Sequence, residues 1–191
     1  QFSQWEYIQG PSLDRIVVDG WTTGEDDSTK WKTGQAPFGD RNIDGINWKT
    51  DWSNDTRSAI ILRRSFTVDD VSKFVGSPLM TKITYDDSIT IYVNGEKVFH
   101  DGGWVDTYVD LTLAPDASKV LKNGENIIAI SLVNTAGGRQ IDMNLFSYEK
   151  PEDQEAVEPL DSSVGAAQFS LEALDILGGR QKKFWPVSYL V

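Results

Sequence analysis

The segment ITIYVNGEKVFHD, residues 89–101, constrains the fold more than any other stretch of the chain. Ile89, Ile91 and Val93 alternate with polar neighbours, which is the period of a strand buried on one face. Asn94-Gly95 follows, and this pair tolerates the positive φ that both central positions of a type I′ turn require. EKVFHD then reads as the returning strand of a tight antiparallel hairpin.

Strand-length runs lie on both sides of it. In AIILRRSFTV (59–68), Ile60, Leu62, Arg64 and Phe66 share one face, and Ile61, Arg63, Ser65 and Thr67 share the other. LMTKITYD (79–86) precedes the hairpin, and TYVDLTL (107–113) sets Tyr108, Asp110 and Thr112 opposite Val109, Leu111 and Leu113. NIIAISLVN (126–134) is nearly all apolar, as a strand buried on both faces would be, and RQIDMNLFSY (139–148) is the last strand of this type. ASKVLKNGEN (117–126) reads as a short helical turn closed by Asn123-Gly124. Short strands spaced by Gly, Asn and Asp turns predict an all-β protein, an antiparallel β-sandwich of the jelly-roll kind. The sandwich is expected over residues 1–149, with 20–57 loop-like within it. An acidic, proline-bearing linker follows over 150–163. Residues 164–191 form a C-terminal segment with helix-like apolar spacing at Phe169, Leu171, Leu174 and Leu177, whose docking is left open.

Charge and composition exclude several functions. Lys plus Arg is 18 against 29 Asp plus Glu, a net charge of −11, which repels nucleic-acid phosphates and anionic membrane surfaces alike. No apolar run approaches the roughly 20 residues that span a bilayer. There is no cysteine, hence no disulfide, thiolate metal site or Cys nucleophile. His100 is the single histidine, so His-based zinc sites are out and a Ser-His-Asp triad would hang on one strand residue. Neither GDRNIDG nor NTAGGRQ has the lysine or the context of a phosphate loop. A chain beginning at Gln1 is compatible with a removed leader, and the expected location is extracellular, periplasmic or at the cell surface.

Two residue classes remain for chemistry. Seven tryptophans are many for 191 residues, and six fall in the first 104. A sugar site needs a flat aromatic platform beside polar groups. Trp31, Trp48, Trp52, Trp104, Phe38 and Tyr108 stand in loops or at strand ends where they could form one; the competing reading is that such rings plug the core. Among carboxylates, Asp86-Asp87 is the conspicuous doublet. Neighbours in an extended strand point to opposite faces, so they pair only if the chain turns there; otherwise one caps the turn and the other is solvated. Asp86, Asp87 and Asn134 complete the candidate ligand set. Asp19, Glu25, Asp26 and Asp27 in the loop DGWTTGEDDST offer hard oxygens to a structural calcium ion, against the reading of a solvated acidic loop. No other cofactor is indicated.

The order EDDSTKW, APFGD, LRRSF, DDSITIYVNGEKVFHDGGW and LKNGENIIAISLVNTAGG resembles the galactose-binding-like jelly-roll domain, the sugar-binding accessory domain of family 2 glycoside hydrolases. It is similar also to related modules of secreted Bacteroidetes proteins, and the likeness covers roughly residues 20–148. EDDSTKW has one residue more than the family's loop, and residues beyond 148 have no counterpart in it. The resemblance implies a non-catalytic module that binds glycan or packs on a neighbouring catalytic domain. Much of the motif set also has a structural explanation, in which Arg63 or Arg64 can pair with a buried acid such as Asp86 or Asp142. Three functions follow as expectations: a carbohydrate-binding accessory module of an exported bacterial glycan-processing protein, a structural module contacting protein, or a hydrolase using paired carboxylates.

Overall fold

Alternating apolar residues become strands with one face inward, and two sheets stack on those faces to form an antiparallel β-sandwich. The computed structural model describes residues 3–40, 48–52, 58–148 and 187–190. The first sheet runs β2 (Lys32–Gln35), β1 (Gln4–Gly10), β5 (Ser58–Val68), β10 (Gly124–Asn134), β7 (Ser88–Val93) and β8 (Glu96–Asp101). The second runs β4 (Thr50–Asp51), β3 (Phe38–Gly39), β11 (Gln140–Tyr148), β6 (Leu79–Asp86) and β9 (Val105–Ala114). Pairing is antiparallel except between β3 and β4. Among the described residues no helix is long and apolar enough to cross a membrane.

The core lies between the sheets. Ile60 and Leu62 of β5, Ile89 and Ile91 of β7, and Ile128, Ile130 and Leu132 of β10 meet Leu79, Ile83, Met143 and Leu145. Each such side chain contributes about 1.5–3 kcal/mol by leaving water. The first sheet is apolar on its other face too. There Ile8, Ala59, Ile61 and Ala129 pack under Ile16 and Trp21, brought over them by residues 11–31 and the single turn α1 (Leu13–Ile16). Trp21 meets Tyr92 edge to face with ring centres 5.5 Å apart. This second layer is why 126–134 is apolar at nearly every position.

The hairpin forms as expected, with φ of 51° at Asn94 and 87° at Gly95. Asn94 does more than turn. Its amide donates to Val120 O and Asn126 Oδ1, both at 2.9 Å, and its Oδ1 accepts from Ile127 N at 3.0 Å, tying the hairpin to β10. The helical turn expected over 117–126 shrinks to a 3-10 turn at Ala117–Lys119. Asn126, fully buried, takes over the remainder: it accepts from Lys122 N and donates to Lys122 O and Gly124 O. Such local side-chain bonds displace helical ones.

The expected linker and the helix-like spacing at 169–177 lie outside the described residues. The tail's docking is settled at its end: β12 (Val187–Tyr189) pairs with β11, and Leu190 N donates to Leu145 O at 2.8 Å.

Candidate functional site

Several strands begin or end at one rim. β6 ends at Asp86 and β7 starts at Ser88, so the chain steps from one sheet to the other across Asp86-Asp87, whose peptide is cis. On either side of β6, β11 opens at Gln140 and β9 at Val105. The pairings Tyr85↔Val105 and Gln140↔Asp86 then set Trp104 and Gln140 on the two flanks of Asp86.

The chain does turn at the doublet: Asp87 accepts from Thr135 there, in keeping with the capping reading, while Asp86 is half-buried and not solvated, and a hydrogen bond joins the two carboxyls. Burial, that bond and the charges of Asp87, Asp40 and Asp106 push Asp86 up to about 7. Burial acts on Asp87 in the same sense, but the Thr135 amide and hydroxyl, both at 2.7 Å, outweigh it and hold this carboxyl below the usual range. Of the two carboxyls, Asp86 is therefore the one that keeps its proton to higher pH. Asp40 is ion-paired with Arg139 at 3.0 Å, a cation buried at the rim that also touches Ser58. Sequence reading missed Asp40 and Arg139, which are 99 residues apart and have no local motif to join them.

Beneath this layer Gln140 is fully buried and donates to Thr84 Oγ1 at 2.6 Å and Val105 O at 3.0 Å. Asp101 accepts from Tyr85 and from Gly103 N, at 2.8 and 2.9 Å, and so fixes the bend that presents Trp104. Trp104 is 64% exposed, the most exposed large apolar side chain among the described residues. β9 bulges opposite Ile83 and Tyr85, leaving Asp106, Thr107 and Tyr108 all exposed.

The other candidates scatter. Trp48 is half-buried with its ring on Gly39, where a Cβ would come within 2.7 Å of it; only glycine fits beneath. Trp52 and Phe38 are core residues, 0% and 1% exposed, which corrects their assignment to an aromatic platform. Asn134, by contrast, is at the rim: it is buried at the last position of β10, opposite Ser58 and next to Thr135. Tyr108 stands on the outer face of the second sheet and donates its hydroxyl to Asp142. Trp31 lies away from the rim, on the outer face of the first sheet, with the Arg63 guanidinium 4.1 Å over its ring. Arg63 pairs with Glu6 and Asp26, not with Asp86 or Asp142, because its face of β5 looks away from the core towards residues 11–31.

The calcium candidates do not assemble. Among the described residues no three Asp, Glu, His or Cys side chains are grouped to hold a metal. Asp26 spends its oxygens on Arg63, on Trp31 Nε1 at 2.7 Å and on Ser28 N at 3.1 Å. Glu25 accepts from Thr23 at 3.3 Å, and Asp19 and Asp27 are exposed. His100 Nδ1 lies 3.0 Å from both Ile89 O and Thr90 Oγ1, so the ring is held within the strand pair.

A pH experiment tests the rim. A carboxyl raised to about 7 binds a proton on folding between its unfolded value near 4 and 7, so its contribution to stability declines as pH rises through that window. Asp86→Asn should flatten the decline and stabilise the fold at pH 8, by about 1 kcal/mol after allowance for solvent screening. Urea melts at pH 5 and 8 check this; an equal change in stability between the two pH values for both proteins would refute the raised Asp86 value.

No protein-family model matches the chain, and no curated protein matches it. Solved structures similar to it include Ruminococcus gnavus β-glucuronidase, 15% identical with a TM-score of 0.48 over 70% of this chain and 21% of that one. Others are the PA14 domain of the MpAFP antifreeze protein (15% identity, TM-score 0.41, 74% and 79% covered) and a PA14 sugar-binding domain from an RTX adhesin (21%, 0.31, 50% and 49%). The chain spans about a fifth of the glucuronidase's length. Likeness of this degree leaves function to be argued from the rim.

Proposed function

We propose that this β-sandwich is a non-catalytic carbohydrate-binding module, an accessory part of an exported bacterial glycan-processing protein. One observation carries the reading: an indole 64% exposed stands at the same rim as the Asp86-Asp87 step, where Tyr85 pairs with Val105. Indole faces take the C–H face of a sugar, while fixed polar groups orient its hydroxyls. Asp86, half-buried, and Asp106, exposed, offer carboxyl oxygens to those hydroxyls. The galactose-binding-like resemblance of the motif order agrees with this.

A direct hydrogen bond between Asp86 and Asp87 supports the non-catalytic form. Retaining glycosidases hold their two carboxyls about 5–5.5 Å apart and inverting ones further, with the glycosidic bond between them.

The test is a glycan panel followed by calorimetry. Trp104→Ala should weaken binding about thirtyfold, as loss of a central aromatic contact does, with the melting transition unchanged. A folded wild-type protein that binds nothing on the panel would sink the proposal, and retention of a protein partner through Trp104 would mark the rim as an interdomain contact instead.

A further inference from the structure

The strand registers carry the rim onto the outer face of the second sheet. Gln140 stands directly opposite Gly39 of β3 on one side and Asp86 of β6 on the other. Directly opposite residues share a face, so these three positions form one row across the sheet. Ile141, the next residue of β11, points into the core, which puts the row on the face turned from it. Trp48 completes the row, because its ring covers the side of Gly39 on which a Cβ would stand. At the far end, β9 starts at Val105 opposite Tyr85, and Trp104 precedes it.

Two indoles thus flank a polar middle. The Trp48 ring lies over β3 and Trp104 at the start of β9, with β11 and β6 between them. Three strand spacings of about 4.8 Å separate them, roughly 14 Å, more than a single sugar ring covers. One side of the Trp48 ring rests on Gly39 and the residue is half-buried, so its open part faces away from the sheet. Asp86 Oδ2 lies 3.5 Å from where a Cβ on Gly138 would stand, and neither Gly138 nor Gly39 raises a side chain on this floor. Among the described residues, Gln140 Oε1 has no donor and Trp48 Nε1 no acceptor, although both atoms are buried. Native folds leave few such groups unpaired, and here two fall in one row.

A single sugar stacked on Trp104 would leave Trp48 idle. A chain of sugars crossing the strands would lay C–H faces on both rings and turn hydroxyls towards Asp86 between them. The outer face of the first sheet is closed by residues 11–31, so this flank is the one open to a polymer. Charge narrows the class further. Asp40, Asp87 and Asp106 all act on Asp86 electrostatically, and a field of that sign repels uronic acids. We propose that the rim site extends over the outer face of the second sheet to Trp48, and that it takes a neutral oligosaccharide chain lying across the strands instead of a single terminal sugar. The inference rests on the reading of the rim as a glycan site and names its substrate class.

The test is an NMR titration of ¹⁵N-labelled protein, following the indole N–H signals of Trp48 and Trp104, assigned from Trp48→Phe and Trp104→Phe. Probes are glucose, mannose, galactose and xylose with their β-1,4-linked oligomers up to the hexamer, and tetragalacturonate as the charged control. For the sugar that binds, affinity should rise at least about tenfold from monomer to tetramer and then level off. The Trp104 signal should move with every length, and the Trp48 signal only with the trimer and longer chains. Tetragalacturonate should bind at least about tenfold more weakly than the neutral tetramer at low salt. Trp48→Ala should weaken tetramer binding about tenfold and leave the monomer unaffected. Should that variant fail to fold, the length series on the wild-type protein decides. An affinity independent of length with the Trp48 signal unmoved, or a preference for tetragalacturonate, would overturn this inference and leave the rim reading standing. Absence of any shift with every saccharide would sink both.

Discussion

Trp52→Ala is expected to destabilise the fold by about 3–5 kcal/mol, the range for deleting a fully buried tryptophan. Trp52 is 0% exposed and its backbone N–H donates to Gly39 O at 3.1 Å, so its loss opens a cavity where β3 and β4 meet the core. Trp104→Ala should change stability by less than about 0.5 kcal/mol, since nothing packs over most of that ring. Against a total of about 5–15 kcal/mol for an ordinary domain, the first change is large and the second negligible. Urea denaturation of both variants measures the contrast. Comparable midpoints would show that Trp52 does not belong to the core.

Arg63→Ala should be similarly costly, about 3–5 kcal/mol, for an electrostatic reason. The Asp26 side chain is 2% exposed and Arg63 11%, so removing the guanidinium leaves a carboxylate shut from water without its counter-charge. The cation over the Trp31 ring is lost with it. Asp26→Asn in the same background should recover much of the loss, because a neutral amide can keep the bonds from Trp31 and Ser28. The pH dependence supplies a sign test. Burial would raise the Asp26 pKa, but the Trp31, Ser28 and Arg63 contacts outweigh it and hold the value below the usual range. Its stabilising effect is therefore present above the unfolded value near 4 and is lost as pH falls through the lower folded value. In Arg63→Ala the carboxyl should titrate higher than in the parent protein, so that less of this stability is lost as pH falls. Melts between pH 2 and 6 that keep the wild-type slope would refute the pairing.

How far the fold could be read from the chain depended on whether each signal was local. Asn94-Gly95 carries its turn in two residues, and alternation in 59–68 assigned Leu62 inward and Arg63 outward correctly. β1 escaped reading because Ile8 sits on the face expected to be polar; the second apolar layer that accepts it is built by residues 11–31, invisible from QWEYIQG alone. At the rim, Asp86-Asp87 and Trp104 stood out as short motifs, and the structure sets them together. Trp52 and Trp104 have similar loop-like surroundings in sequence, yet one is buried and the other bare, since burial depends on strands far off in the chain. Arg63 found Asp26, 37 residues away, for the same reason.

The covering of residues 11–31 over β5 and β10 gives the molecule a blind side. An apolar blanket occupies much of the surface that a solvated sheet would present, so any polymer or companion domain must approach by the opposite flank or by the ends. For a module tethered within a longer polypeptide, that asymmetry restricts how it can be mounted while keeping Trp104 accessible.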